Sequence, residues 1–403
     1  MRRSRFPAVF LVGAFVARTG EETSGPALLL AGAALTGSVT EGSSLLAGVT
    51  VAAVAGGPVT GALLDRSRRP GRMLAVALAV HALGLGAVLL ALGRLPFAAV
   101  LPIAVCTGLT GPALSGGWTA RLPETTSPDR LHRASTYDAM TIGAAGLAGP
   151  ALAGGTAEVW GAPAALVVAA ALVGSALPAA WALPARAGGG GRVRAPSLRG
   201  DLAAGAKAVL RTPALARATL TSTLSCAAQG MLAACAVPLG ERVLGGAGRG
   251  AMLLACSAIA ALAANAVLAR HPRPLAPDTI VWAAALVQAA ALTLAAWAPP
   301  ALLLGAVLLA GVGEGPQLAA VFAIRHRESP PRLRGQIFTT GAGAKLTAYA
   351  LGVAVAGPAA SRSLPGTLLL AASVSVVAAL CFFMVPSAAP FPPPDRTANR
   401  PRP

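Results

Sequence analysis

The chain is a succession of apolar runs, each about 20 residues long, cut off by short basic clusters. That rhythm constrains the fold more than any single residue does. As a helix, a run of this length matches the hydrocarbon thickness of a bilayer. No water is available there to bond backbone amides, and a continuous apolar run satisfies its own amides only as a helix. Composition points the same way: 55% of the 403 residues are apolar, 11% are charged and the mean hydropathy is +0.68. A soluble domain carries about 25% charged residues, so this chain cannot cover a water-exposed globule. The runs fall at 8–33, 43–63, 72–93, 98–119, 138–158, 163–183, 214–238, 250–270, 279–298, 300–323, 337–358 and 366–386. About 34 residues per span and loop leave no room for a large soluble domain. The expected fold is an all-α integral membrane protein with twelve transmembrane helices in two six-helix halves.

The net charge of +18 does not indicate nucleic-acid binding, because the basic residues recur between apolar runs and aromatics make up only 4%. They set topology instead. With the N-terminus inside, the outer loops hold Arg94, Arg242, Arg249 and Arg362. Arg18 and Lys345 lie within spans, and every other basic residue falls at the inner side. This predicts a multi-pass protein of the bacterial cytoplasmic membrane with both termini cytoplasmic. Arg18, Glu21 and Glu22 interrupt the first run and no small-residue cleavage site follows, so it reads as an uncleaved first helix.

A hydrophilic stretch at mid-chain divides the sequence into a six-helix half at 1–184, a cytoplasmic linker at 185–213 and a second half at 214–386. An amphipathic piece near 198–211 is expected on the membrane surface, and a Pro-rich tail at 387–403 is expected to be disordered. An internal repeat supports the division: Arg121-Leu-Pro-Glu124 leads to Ser127-Pro-Asp-Arg-Leu131, and half the chain later Arg325-His-Arg-Glu328 leads to Ser329-Pro-Pro-Arg-Leu333. Parallel six-helix repeats build several transporter folds. Cys106, Cys226, Cys235, Cys256 and Cys381 each sit inside an apolar run without metal spacing and read as packing residues. No P-loop lysine motif, metal cluster or Ser/His/Asp arrangement stands out, so the reading is a non-enzyme without cofactor or metal.

The loop after the second span reads Gly61-Ala-Leu-Leu-Asp65-Arg66-Ser-Arg-Arg-Pro-Gly71-Arg72. It resembles the signature of the major facilitator superfamily between its second and third helices. The departure is the longer gap, Ser67 to Pro70, before the second glycine. The resemblance implies a conformational gating loop that latches the inner sides of the two halves during alternating access. Gly61 permits close helix contact, Asp65 can face a helix N-terminus or a basic partner, and Arg66 and Arg72 anchor the inner face. In span five, Gly149-Pro150 followed by Gly154 and Gly155 is similar to the Gly-Pro motif of proton-coupled exporters, with a gap one residue longer. The arginine such exporters carry in mid span four is absent. Arg121 lies at the inner end instead, where it is expected to pair with Asp65 or Glu124; Arg325 and Glu328 hold the equivalent place in the second half.

Charges at membrane depth are costly, so each is a functional candidate. Arg18 lies three residues from Glu21 and four from Glu22, on one helix face. Glu314 and Lys345 are flanked by small residues in spans ten and eleven, and are expected to pair with each other or with the span-one group. These five are the proton-coupling or substrate-binding candidates. His81 is expected to pack, Asp138 to be a charge at a helix start, and Gln229, Gln288 and Gln317 to border the cavity. The resulting expectation is a monomeric secondary carrier that moves a small amphipathic solute, with protons as the coupling ion. Efflux of drugs or secondary metabolites is favoured, proton-coupled uptake of a nutrient is the alternative, and a transport-inactive scaffold or sensor is a third reading.

Overall fold

Runs rich in Ala, Leu and Val with polar breaks between them fold into long helices whose ends lie at the breaks. The computed structural model describes residues 6–185, 198–244, 247–270, 275–297 and 299–385. Thirteen helices result: α1 (Phe6–Thr36), α2 (Val39–Arg66), α3 (Pro70–Ala91), α4 (Phe97–Thr125), α5 (Leu131–Trp160), α6 (Ala162–Trp181), α7 (Leu198–Arg211), α8 (Pro213–Leu244), α9 (Ala247–Arg270), α10 (Pro277–Trp297), α11 (Pro300–Glu328), α12 (Arg334–Arg362) and α13 (Leu364–Met384). No strand occurs among the described residues. All but α7 are long, and each contains most of one expected span. Residues 186–197 of the expected linker and 387–403 of the expected tail lie outside the described residues.

Local chemistry sets the boundaries. Gly37, Gly93 and Gly161, at φ of 71°, 73° and 88°, carry the turns after α1, α3 and α5 in a backbone region that other residues avoid. The Ser38 and Ser363 hydroxyls cap α2 and α13 by accepting the amides of Glu41 and Gly366 at 3.3 and 3.1 Å. Helix α4 is interrupted by a buried π-helical turn at Ala113–Gly117. Helix α5 begins at Leu131, well before the expected 138, because its first two turns are polar. Asp138 therefore does not open a helix. It lies two turns inside one, fully buried.

Eight of the helices are both long and apolar enough to cross a membrane by composition alone. The remaining four long helices, α1, α5, α8 and α12, are richer in glycine, hydroxyl and charged residues. They pair with each other, α1 against α5 and α8 against α12, at equivalent places in the two sixes. Helix α1 also packs on α6 as α8 does on α13. The sixes meet along α2 and α12, and along α5 with α9 and α11. Helix α7 lies across the basic end, where Ala204, Ala208 and Val209 pack near Leu215, Leu333 and Ile337.

Each six has its own apolar clusters. In the first, Phe10, Leu74, Leu78, Leu114, Trp118 and Val173 join α1, α3, α4 and α6. Phe10 meets Trp118 edge-on with ring centroids 5.5 Å apart. In the second, Leu232, Leu239, Leu292, Leu303, Val307 and Leu368 join α8, α10, α11 and α13. Trp118 is wholly buried, whereas Trp160 is 69% exposed. Trp118→Ala is expected to cost about 3–5 kcal/mol and to lower the unfolding temperature in detergent, while Trp160→Ala leaves it nearly unchanged; differential scanning fluorimetry compares them.

Candidate functional site

The mid-bundle charges come from both sixes. Glu21 and Glu22 lie at the middle of α1, Glu314 at the middle of α11 and Lys345 near the middle of α12. Glu22 is exposed, and Glu21, Glu314 and Lys345 are half-buried. Among the described residues none of the four side chains makes a hydrogen bond or ion pair, so the expected direct Glu314–Lys345 pair is not formed. They nevertheless share one region. Cys226 of α8 lies within electrostatic range of Lys345, Glu314 and Glu22, and Tyr349, one turn beyond Lys345, within range of Glu314 and Glu22. Two carboxylates and an ammonium with no fixed partner can exchange protons and bind a charged or polar solute.

Arg18 does something different from what its spacing suggests. It turns away from Glu21 and Glu22 and forms an ion pair with Asp138 at 2.8 Å; the two side chains are 2% and 0% exposed. Its other nitrogen donates to Thr119 Oγ1 at 2.8 Å and to the Ser115 carbonyl at 3.1 Å. Thr141 Oγ1 is a further partner, and the Thr119 hydroxyl donates to Asp138 Oδ2 at 2.6 Å. The Ser115 carbonyl belongs to the π-helical turn of α4. The charge is neutralised inside a network joining α1, α4 and α5. Arg18 therefore makes its ion pair with α5 and not with Glu21 or Glu22. Opposite lone charges in spans one and five were the available sequence signal.

Around this network, Gly149 of α5 lets α1 approach: a Cβ there would stand 2.5 Å from Glu22 Cβ and 2.8 Å from the Thr23 amide nitrogen. Pro150 is exposed and Gly154 has open space beside it, so only the first glycine of the span-five motif makes a close crossing. His81 is buried with Nδ1 3.0 Å from Thr110 Oγ1. Gln317 donates to Ser225 Oγ and the Val281 carbonyl at 3.1 and 3.0 Å. Gln288 is also buried. Gln288 and Gln317 are therefore buried in the second six, while Gln229 is half-buried.

The Gly61–Arg72 segment separates into two parts. Asp65 accepts the Gly335 and Gln336 amides at 2.9 and 2.8 Å, in the first turn of α12. That turn has no side-chain cap of its own, so the carboxylate of one six caps and charge-stabilises a helix of the other. A Cβ on Gly61 would stand 2.1 Å from Thr339 Oγ1 and 2.4 Å from Gln336 Cα, which only glycine avoids. The Thr339 hydroxyl donates to the Gly57 carbonyl at 2.6 Å. Arg66 pairs with Asp201 of α7, and Gln336 Nε2 donates to the Leu202 carbonyl at 3.2 Å. This seam joins the basic halves of α2 and α12; beyond it Leu346 and Tyr349 are exposed. Gly71 and Arg72 are not part of the seam. Gly71 packs on α6, where its Cβ would stand 2.6 Å from the Ala180 carbonyl, and Arg72 lies over Trp181. The four residues from Ser67 to Pro70 turn the chain away.

The internal repeat also diverges. In the first six, Arg121 pairs with Glu124. In the second, Glu328 is taken by Arg327 at 2.7 Å, and Arg327 also holds Asp278 at 3.0 Å. Arg325 is left buried against Gly341, over the Phe338 ring, with Nε and Nη2 lacking partners. Of the buried charges, the Arg18–Asp138 pair gives the sharpest test. Asp138→Asn strands a buried guanidinium and is expected to cost about 3–5 kcal/mol, whereas the apolar double change Arg18→Met/Asp138→Leu costs less than that single change. Thermal unfolding of the purified protein reads both.

Comparison with known proteins agrees with this architecture. The Major Facilitator Superfamily model matches residues 10–357. An uncharacterised MFS-type transporter, y4rN, of Sinorhizobium fredii (strain NBRC 101917 / NGR234) is 28% identical over 308 residues, covering 71% of this chain and 72% of the relative. A bacterial homologue of the iron transporter ferroportin, solved in an outward-facing state, aligns with a TM-score of 0.76 at 16% identity over 94% of this chain and 99% of its own. The E. coli fucose:proton symporter FucP aligns with a TM-score of 0.72 at 14% identity over 94% and 98%. With twelve long helices in two equivalent sixes and a family match over most of its length, the chain belongs to the Major Facilitator Superfamily.

Proposed function

We propose that this protein is a proton-coupled exporter of small amphipathic solutes, such as drugs or secondary metabolites, in the bacterial cytoplasmic membrane. The observation that carries the reading is the convergence of Glu22 and Glu314, one from each six, in a mid-bundle region where neither has a fixed partner. Binding at the midplane between two halves is how alternating-access carriers work. A proton and a polar or cationic group of the solute compete for the same carboxylates, which couples their movements in opposite directions. Lys345 lies close enough to bias that competition. The basic face is cytoplasmic by the distribution of arginines, so the Asp65 seam closes the inner side and the conformation is outward-facing. The carrier acts as a monomer, each chain holding a complete pair of sixes.

A second reading follows from Lys345. Protonation of Glu314 would free the ammonium for an anionic or hydroxyl-rich solute, so that proton and solute travel together. FucP is itself a proton symporter. The direction of movement separates the readings.

The decisive experiment is accumulation of a panel of fluorescent and antibiotic compounds in an efflux-deficient bacterial host, with and without a protonophore. Export predicts lower accumulation with the wild type, abolished by the protonophore and slowed at least about tenfold, a barrier change of about 1.4 kcal/mol, by Glu22→Gln or Glu314→Gln. Proton-driven gain of a solute supports uptake. Equal accumulation in all cells for every compound and nutrient tried returns the weight to a scaffold or sensor. The seam has its own test. Asp65→Ala removes a cap worth about 1 kcal/mol, so a cysteine introduced at Thr340 in a chain lacking native cysteines is expected to react about fivefold faster with a membrane-impermeant maleimide applied from the cytoplasmic side.

A further inference from the structure

The carrier mechanism makes no use of a groove of about 490 Å3 between the start of α3 and the end of α6, lined by Arg68, Arg69, Arg72, Met73, Val76 and Trp181. Its rim is cationic. The three arginines are exposed and form no ion pair with a described residue, and Arg72 lies 4.9 Å from the centroid of the Trp181 ring. Its wall is apolar. Trp181 is 56% exposed, and Val76, Val80 and Leu83, 49%, 46% and 73% exposed, follow one another at helical spacing down α3. An anionic rim ligand and a hydrocarbon tail are therefore accommodated side by side, at the depth where tryptophan favours the membrane interface.

We propose that this groove is a binding site for an anionic phospholipid of the inner leaflet. Its phosphodiester is held by Arg68, Arg69 and Arg72, and one acyl chain lies along Val76, Val80 and Leu83. Arginine suits this role because its planar fork binds phosphate oxygens in pairs. The continuous apolar stripe distinguishes a lipid from free phosphate, which would gain nothing from it. Ser67 also lines the groove and adjoins Arg66, which holds α7 through Asp201. Headgroup binding therefore draws on the same loop that reaches the α2–α12 seam.

The test is native mass spectrometry of the full chain in delipidating detergent, titrated with dioleoyl phosphatidylglycerol or dioleoyl phosphatidylcholine. Phosphatidylglycerol is expected to bind more tightly than phosphatidylcholine. Arg68→Gln and Arg69→Gln should each weaken it about fivefold. Trp181→Ala should also weaken it, and Arg72→Lys, which keeps the charge, should weaken it less than Arg72→Gln. Arg332→Gln, an exposed arginine elsewhere at the basic end, should leave it unchanged. Folding of each variant is checked by gel filtration. Equal retention of the two lipids, an equal loss in Arg332→Gln, or full displacement of phosphatidylglycerol by millimolar inorganic phosphate would each overturn the proposal, the last in favour of a free-anion site.

Discussion

The architecture turns on a single carboxylate placed at the end of another helix. Asp65 belongs to α2 in the first six, yet the amides it receives open α12 in the second. A cap normally lies next in sequence to the helix it caps; here it comes from across the interface, so the two sixes share one electrostatic unit. Glycine makes this reachable. With Gly57 and Gly61 facing Thr339 and Gln336, the helix backbones come close enough for an aspartate to span the gap. The linker helix extends the contact, because Asp201 and the Leu202 carbonyl engage Arg66 and Gln336 from outside the pair.

A second constraint acts inside the first six. A guanidinium at membrane depth must be neutralised, and Arg18 is neutralised by Asp138 together with Thr119 and the Ser115 carbonyl in the π-helical turn of α4. This fixes α1, α4 and α5 together, and it leaves Glu21 and Glu22, a turn further along α1, without a hydrogen bond or ion pair. One face of a polar helix is spent on rigidity and the adjacent turn is left chemically free.

Much of this was legible in the sequence. Apolar run lengths located the twelve long helices to within a few residues, since the bilayer thickness acts on every run alike. The ends were less accurate where polar residues continue a helix into the interface, and Asp138 was misread for that reason. Residue spacing along one helix suggested that Arg18 meets Glu21 and Glu22, but spacing says nothing of a stronger partner on another helix. The loop signature singled out Gly61, Asp65 and Arg66, which do lie together at the seam. It could not show that the inserted Ser67–Pro70 diverts Gly71 and Arg72 to α6. The short repeat marked Arg121 and Arg325 as equivalent. Their different pairing depends on Arg327, which takes Glu328 and also holds Asp278.

The chemistry of the α2–α12 seam has a consequence for how easily it can part. Its contacts are glycine faces, amides, carbonyls, one hydroxyl and one carboxylate, with few bulky apolar side chains interlocked. When such surfaces separate, water can bond to nearly every group that loses a protein partner, and little hydrocarbon is wetted. Closure is therefore specific in geometry but shallow in free energy. A joint of that kind is a clasp rather than a weld: it can be undone and remade without passing through a state that resembles unfolding.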